Sequence, residues 1–462
     1  LDKRLAAAQA WLNREEPDEA LALCHQVMND CPDDLGALHI AGHAYIKAER
    51  WGMAYQMYWR ATQLHPASSE SWNNMGRCLQ ELGRVDEAEA VFRRCIDMSP
   101  DDYAACNNMV QTCTVAGRHG EAVYWYKEAL KRAKDENDRQ EARMNVGLSL
   151  LATRQWEEGW TCYDAGLQRN KCRPDISFKG EPRWNGEPHQ GLVVYAEQGL
   201  GEEILFGSMI PDLLADKQRN AQVVIECDPK MSGLFSRALK LPVYGTRFSK
   251  ERSWTQRHRI TSHVAMGSLG RFYRTEPKMF PARACLRAEP QRSLMYRTLL
   301  EQLGPGRTIG LAWTGGRKNT GAPQRSIGLA QFAPLAGDDV HLISLQYCDP
   351  AKDIADCGFR VHHFPFATET QDYDDTAALV SNLDAVVCVT TAVAHLCGAL
   401  GVRCHVLVPE HPQWHWNADG PNAWWSSVEH YRQGKDEPWS AVIARVEEVL
   451  RGDRARSLEA AE

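Results

Sequence analysis

The sequence predicts a helical-repeat solenoid followed by an α/β region built on two parallel sheets. Three observations carry that expectation. The chain opens with consecutive units that hold one 34-residue register. From about Cys172 the helical period gives way to short apolar runs separated by helical stretches, the pattern of parallel sheets. At 462 residues the chain is also too long for a single core, so two or three domains are expected.

The units begin at Leu1, Leu35, Ser69 and Tyr103. The third is the clearest, with Trp72, Met75, Gly76, Leu79, Ala88, Phe92, Cys95 and Pro100. The second repeats the pattern with Leu38, Ala41, Gly42, Tyr45, Ala54, Tyr58, Ala61 and Pro66. Ala8, Ala20 and Pro32 mark the first, and Ala122, Tyr126 and Ala129 the fourth; a looser fifth begins near Gln140. This constellation resembles the tetratricopeptide repeat. Small residues let two antiparallel helices approach, aromatics fill the space between hairpins, and Asp101 or Asp102 is placed to cap the helix after Pro100. A single hairpin cannot bury its apolar face, so the units must stack and leave a concave groove.

Asn74, Asn108 and Asn145 recur at one position of the first helix in three consecutive units. They resemble the asparagine ladder of O-GlcNAc transferase, which implies an acceptor-peptide ladder here. An amide both donates to and accepts from an extended main chain. The plainer alternative is that Asn is a polar filler.

Composition narrows the function. A net charge of −7 speaks against a nucleic-acid partner, which would show a basic stripe. No apolar run approaches the length of a membrane span. The fifteen cysteines are scattered without a CxxC pair, so reduced core thiols are expected and no metal site. No leader is read at the start, and a cytoplasmic location is the expectation.

In the second half, Leu192–Ala196, Val223–Cys227, Thr308–Trp313, His341–Leu345, Ala385–Val389 and His405–Val408 read as buried strands. Three loops after strands could carry chemistry. In the first, Glu197, Gln198, Gly199, Leu200, Gly201, Glu202 and Glu203 lead into a helix, whose N-terminus favours anions and whose carboxylates suit a general base. Acidic residues serving only the helix dipole would look the same. The second runs from Trp313 through Gly315, Gly316 and Lys318 to Arg325, glycines and cations suited to a diphosphate or to a solvated basic loop. The third, Thr390, Thr391, Ala392 and His395, puts hydroxyls and free backbone amides at a helix N-terminus. A packed core histidine is the plainer account of His395. Trp414, Trp416, Trp424 and Trp425 suit either stacking on a ligand ring or core packing.

Together with PRWNGEP, YAEQGLGEEILF, MGSLGRFYR, GLAWTGG and the stretch from DYDDTAALV to AHLCGALG, these loops resemble the two-domain GT-B glycosyltransferases. The likeness is to bacterial repeat-bearing members related to heptosyltransferases and O-GlcNAc transferase. It implies two Rossmann-like domains, 172–304 on the acceptor side and 305–462 on the nucleotide-sugar side, after a solenoid over 1–171. The last helix is expected to pack back on the first of them. The resemblance further implies a donor diphosphate held by Gly315, Gly316, Lys318, Arg325, Thr390, Thr391, Ala392 and His395. Its acceptor loop is Gln198, Gly199, Gly201, Gly267 and Ser268. Glu202 stands where heptosyltransferases carry a base aspartate, with Glu203 as the neighbour that could replace it. Thr390 stands where many relatives have an aspartate. The implied reaction is metal-independent, inverting transfer of a sugar from a nucleotide-diphosphate sugar, with no cofactor. The repeats would hold a protein or peptide acceptor, and such arrays often form homo-oligomers. Two alternatives stay open: a non-catalytic repeat scaffold with a degenerate GT-B region, and a transferase acting on a glycan or lipid-linked acceptor.

Overall fold

The computed structural model describes residues 3–167, 173–216, 222–315, 325–370, 372–417 and 421–459. The chain forms two compact units, Leu1–Thr153 and Arg154–Glu462.

The first unit is a run of antiparallel helices: Lys3–Asn13, Pro17–Asp30, Leu35–Lys47, Trp51–Leu64, Ser69–Glu81, Val85–Met98, Tyr103–Val115, His119–Arg132 and Glu136–Ala152. The same local device starts each later hairpin. Asp34, Ser68, Asp102 and Asp135 cap their helices by accepting from Ala37, Ser71, Ala105 and Asp138. Asp102, rather than Asp101, is thus the cap after Pro100. Between the paired helices the backbone turns through the left-handed region at Glu15, Glu49, Gly83 and Gly117, again one repeat apart. The packing glycines are required by contact. A Cβ on Gly42 would lie 2.6 Å from the Tyr58 ring, and one on Gly76 2.5 Å from the Phe92 ring. Ala20, Ala54, Ala88 and Ala122 are fully buried at the equivalent position of the second helices.

The second unit holds two sheets whose strand pairs are all parallel. The first contains β1 (Gly191–Tyr195), β2 (Gln222–Glu226), β3 (Val243–Tyr244) and β4 (Ser262–Ala265), in the order β3-β2-β1-β4. The second contains β5 (Arg307–Ala312), β6 (Val340–Ser344), β7 (Val361–His363), β8 (Ala385–Val389), β9 (Cys404–Val408) and β10 (Val428–Arg432), in the order β10-β9-β8-β5-β6-β7. β1, β8 and β9 are buried along their whole length, as helices on both faces demand. In each sheet the strand order reverses once, between β1 and β4 and between β5 and β8. Open α/β sheets bind ligands in the crevice at the carboxyl ends of such a reversal.

The sequence carries the solenoid to residue 171 and so includes the helix Trp156–Asp164. That helix lies in the second unit, where Trp160 occupies the space a Cβ on Gly270 would need and donates its ring N–H to the Arg274 carbonyl at 2.9 Å. The last helix, Trp439–Glu459, does not pack back on the first sheet. Its Val442, Ile443, Val446 and Leu450 join the core of the second, with Ile309, Leu311 and Leu407. The strands change sheet across Gly304–Gly306 as the sequence suggests, but the preceding helix Pro290–Glu301 already packs with the second. Its Arg292 pairs with Asp375 at 2.8 Å, and Tyr296 is fully buried. Every cysteine among the described residues is a free thiol. No helix among them is long and apolar enough to cross a membrane.

Candidate functional site

The loops at the two reversals meet. Helix Leu200–Gly207 follows β1 and helix Ala392–Leu400 follows β8. A Cβ on Gly201 would stand 3.2 Å from the His395 ring and 3.5 Å from the Ala392 backbone, so glycine permits the approach. Both helices begin without a side-chain cap, at Gly199 and Thr391. The first turn of Leu200–Gly207 is met by the carboxylate of its own Glu202, while the leading N–H groups of Ala392–Leu400 have no side-chain cap, an arrangement suited to an anion.

On the first-sheet side, Glu202 is in the first turn of its helix, with a carboxylate oxygen folded back over Gly199. Burial pushes its pKa up, against the pull of its own backbone N–H and of the Arg325 guanidinium. Glu203 faces the interior. It pairs with Arg247 at 2.6 Å and accepts from the Asp228 backbone N–H at 3.1 Å; burial still pushes its pKa up to about 7. Both of its oxygens are thus engaged in holding the β1 and β2 loops together. Gln198 donates to the Tyr163 hydroxyl at 2.6 Å, and its carbonyl accepts from Arg247. Gly267 donates its N–H to Glu197, and Ser268 donates to Asp164 at 2.6 Å. These last two are buried and brace the loop from beneath.

On the second-sheet side, Arg325 is buried and donates to the Thr390 carbonyl at 3.2 Å. Gly315 lies against that same carbonyl, 3.0 Å from where its Cβ would be. The loops after β5 and β8 are thereby closed on each other. The Thr390 hydroxyl is buried with no hydrogen-bond partner among the described residues. Thr391 and Ala392 are half-buried at the helix start. Gly316 and Lys318 lie outside the described residues.

His395 differs from its expected use. Both ring nitrogens are engaged inside the protein, Nδ1 with the Trp425 N–H at 3.3 Å and Nε2 with His415 Nε2 at 3.2 Å. Burial lowers its pKa to about 3, so it is neutral. The four tryptophans are buried. Trp416 stacks on His395 at 4.8 Å, Trp414 on Phe206 at 6.4 Å, and Trp424 contacts Trp160 edge to face. They pack the interior rather than face a ligand ring. His415 was not singled out from sequence, because nothing local marks it; its place comes from contacts with residues 20 positions away.

In the solenoid two of the three row asparagines bond to the residue that precedes the row position in the repeat before. Asn108 donates to Asn73 at 2.8 Å and Asn145 to Asn107 at 3.0 Å, each reaching back one repeat. Asn74 is buried, with its oxygen 3.4 Å from Arg77.

Residues 69–102 match the family model described as tetratricopeptide repeat. The N-terminal unit is a tetratricopeptide-repeat solenoid. Over 440 residues the chain is 24% identical to Protein FlbA of Caulobacter vibrioides, covering 91% of this chain and 73% of that one. The repeat-containing protein trd-1 of Caenorhabditis elegans is 29% identical over 90 residues, 20% of this chain and 12% of that protein. Among solved structures, YrrB, described as a TPR protein with an unusual peptide-binding site, matches 35% of this chain and 82% of its own at 18% identity, with a TM-score of 0.29. MamA matches 34% and 91% at 15% identity, with a TM-score of 0.31. Repeats of this kind typically mediate protein–protein contacts.

Proposed function

We propose that the second unit is a GT-B-type glycosyltransferase that moves a sugar from a nucleotide-diphosphate sugar to a hydroxyl, on a protein acceptor recruited by the repeats. One observation carries the reading. The reversal points of two parallel sheets face each other, bringing the carboxylate Glu202 within the field of the buried cation Arg325. Such a crevice suits a donor whose diphosphate needs positive charge on one side and whose acceptor needs a base on the other.

In this mechanism Glu202 takes the acceptor hydroxyl proton as the oxygen attacks the anomeric carbon. The bond from that carbon to the diphosphate breaks on the opposite face, and the electron pair leaves with the diphosphate. Arg325 and the open N–H groups of helix Ala392–Leu400 stabilise the departing charge. A carboxyl group with a raised pKa is better matched to this proton transfer than an ordinary glutamate. The solenoid supplies acceptor affinity through the amides of Asn108 and Asn145.

The test is turnover by the full chain of UDP-, GDP-, ADP-, CMP- and dTDP-linked sugars. Release of the nucleotide from one of them, faster with a protein acceptor present, is expected. Release from none would leave the repeat scaffold as the better account.

A further inference from the structure

The crevice contains a donor that the reading above does not use. Trp425 Nε1 can only donate, so the His395 Nδ1 it meets at 3.3 Å must accept and carries no proton. His395 is neutral, so its proton is on Nε2, which donates to His415 Nε2 at 3.2 Å. That nitrogen must in turn accept. In the neutral ring of His415 the proton is then on Nδ1, and Nδ1 is buried with no partner among the described residues. His415 is itself only 8% exposed.

The orientation of this relay is held from behind. Trp424 and Trp425 donate their backbone N–H groups to Asn422 Oδ1 at 2.8 and 3.0 Å, so the amide of Asn422 must turn its nitrogen to His430, 2.7 Å away. Gly398 lets the Trp425 ring lie against helix Ala392–Leu400, and Trp416 stacks on the His395 ring. None of these groups has freedom to reverse the chain of donors.

An unpaired buried N–H costs about 1–3 kcal/mol, so an acceptor that reached it would be held favourably. The surroundings name the acceptor's charge. Arg325 is close enough to His415 to oppose its protonation, the Thr390 hydroxyl lacks a partner among the described residues, and the adjoining helix start is uncapped.

We propose that His415 Nδ1–H is a phosphate-binding donor of the crevice, and that Trp425 and His395 are positioning residues that set its tautomer. The inference rests on the diphosphate reading above and assigns it a residue. A neutral ring suits this place, because it adds a directed hydrogen bond beside Arg325 without a second buried cation.

Inorganic pyrophosphate is the probe, titrated calorimetrically into the wild-type chain and into His415→Leu and His415→Asn. Loss of a hydrogen bond to a charged oxygen predicts roughly 10- to 100-fold weaker binding by His415→Leu. His415→Asn keeps an N–H near the same place and is expected to recover most of the loss. In parallel, ¹⁵N spectra of histidine-labelled protein should show His415 protonated on Nδ1 and His395 on Nε2, with Trp425→Phe disturbing both. Undiminished pyrophosphate binding by His415→Leu, or a proton on His415 Nε2, overturns the assignment while leaving the glycosyltransferase reading intact. A wild-type chain that binds pyrophosphate but turns over no nucleotide sugar loses that reading and keeps His415 as a phosphate donor. Binding of neither pyrophosphate nor any nucleoside diphosphate sinks both.

Discussion

Glu202→Gln is expected to lower sugar transfer by roughly 10²- to 10⁴-fold, the usual contribution of a positioned general base. Nucleoside-diphosphate affinity should change little, because Glu202 lies on the first-sheet side of the crevice, across from Arg325 and Thr390. The pH profile adds a second signature. A base must be ionised to act, and burial holds the Glu202 pKa above its ordinary 4.5. Transfer should therefore rise with pH through a window above that value, and the residual activity of Glu202→Gln should lose this limb. Glu203→Gln would act differently. Its carboxylate binds Arg247 and the Asp228 N–H, so its loss should destabilise the fold more than it alters the profile. Full transfer activity in Glu202→Gln would remove it as the base.

Gly398→Ala should destabilise the chain, although the same change in most helices stabilises. Alanine in place of a mid-helix glycine ordinarily contributes about 0.5–1 kcal/mol. Here the new Cβ would sit 2.2 Å from the Trp425 ring, which is itself fully buried and cannot swing away. Overpacking of this kind costs about 1–3 kcal/mol, so the net sign reverses. A lowered urea midpoint is expected. Because Trp425 also holds His395, pyrophosphate binding should weaken in the same variant. A raised midpoint would mean that the ring has room the structure does not give it.

The solenoid was legible because its signals repeat in phase. A cap, a turn and a small residue facing an aromatic recur every 34 residues, as at Gly42 with Tyr58 and Gly76 with Phe92. The six strands read from the sequence lie within a residue of β1, β2, β5, β6, β8 and β9, which are apolar runs buried in the middle of sheets. The four not read are short or at edges. β3 has two residues, β7 has three, and β10 exposes Glu429 on the sheet margin. In β4, the run Ser262 to Ala265 carries a histidine that is buried by pairing with Asp175 and Glu181, which no local pattern reveals.

The site was legible in part for a related reason. Thr390 follows β8 directly and Glu202 lies in the first turn of the helix after β1, and strand ends can be read. The use of His395 could not be, since it depends on Trp425 and His415 arriving from a later loop. The helix Trp156–Asp164 could be read from its own periodicity, whereas the long-range fit of Trp160 to Gly270 could not.

The central claim is that the facing reversal points of the two sheets hold a nucleoside diphosphate. It is tested most directly by the melting temperature of the full chain with UDP, GDP, ADP, CDP or dTDP, beside Arg325→Gln. At a hundredfold excess over Kd a specific ligand stabilises by about 2.7 kcal/mol, enough to raise the melting point by several degrees. The account predicts that rise for at least one nucleoside diphosphate in the wild type and its loss in Arg325→Gln. A wild-type melting point that none of the five moves, or an equal rise in the variant, would contradict it.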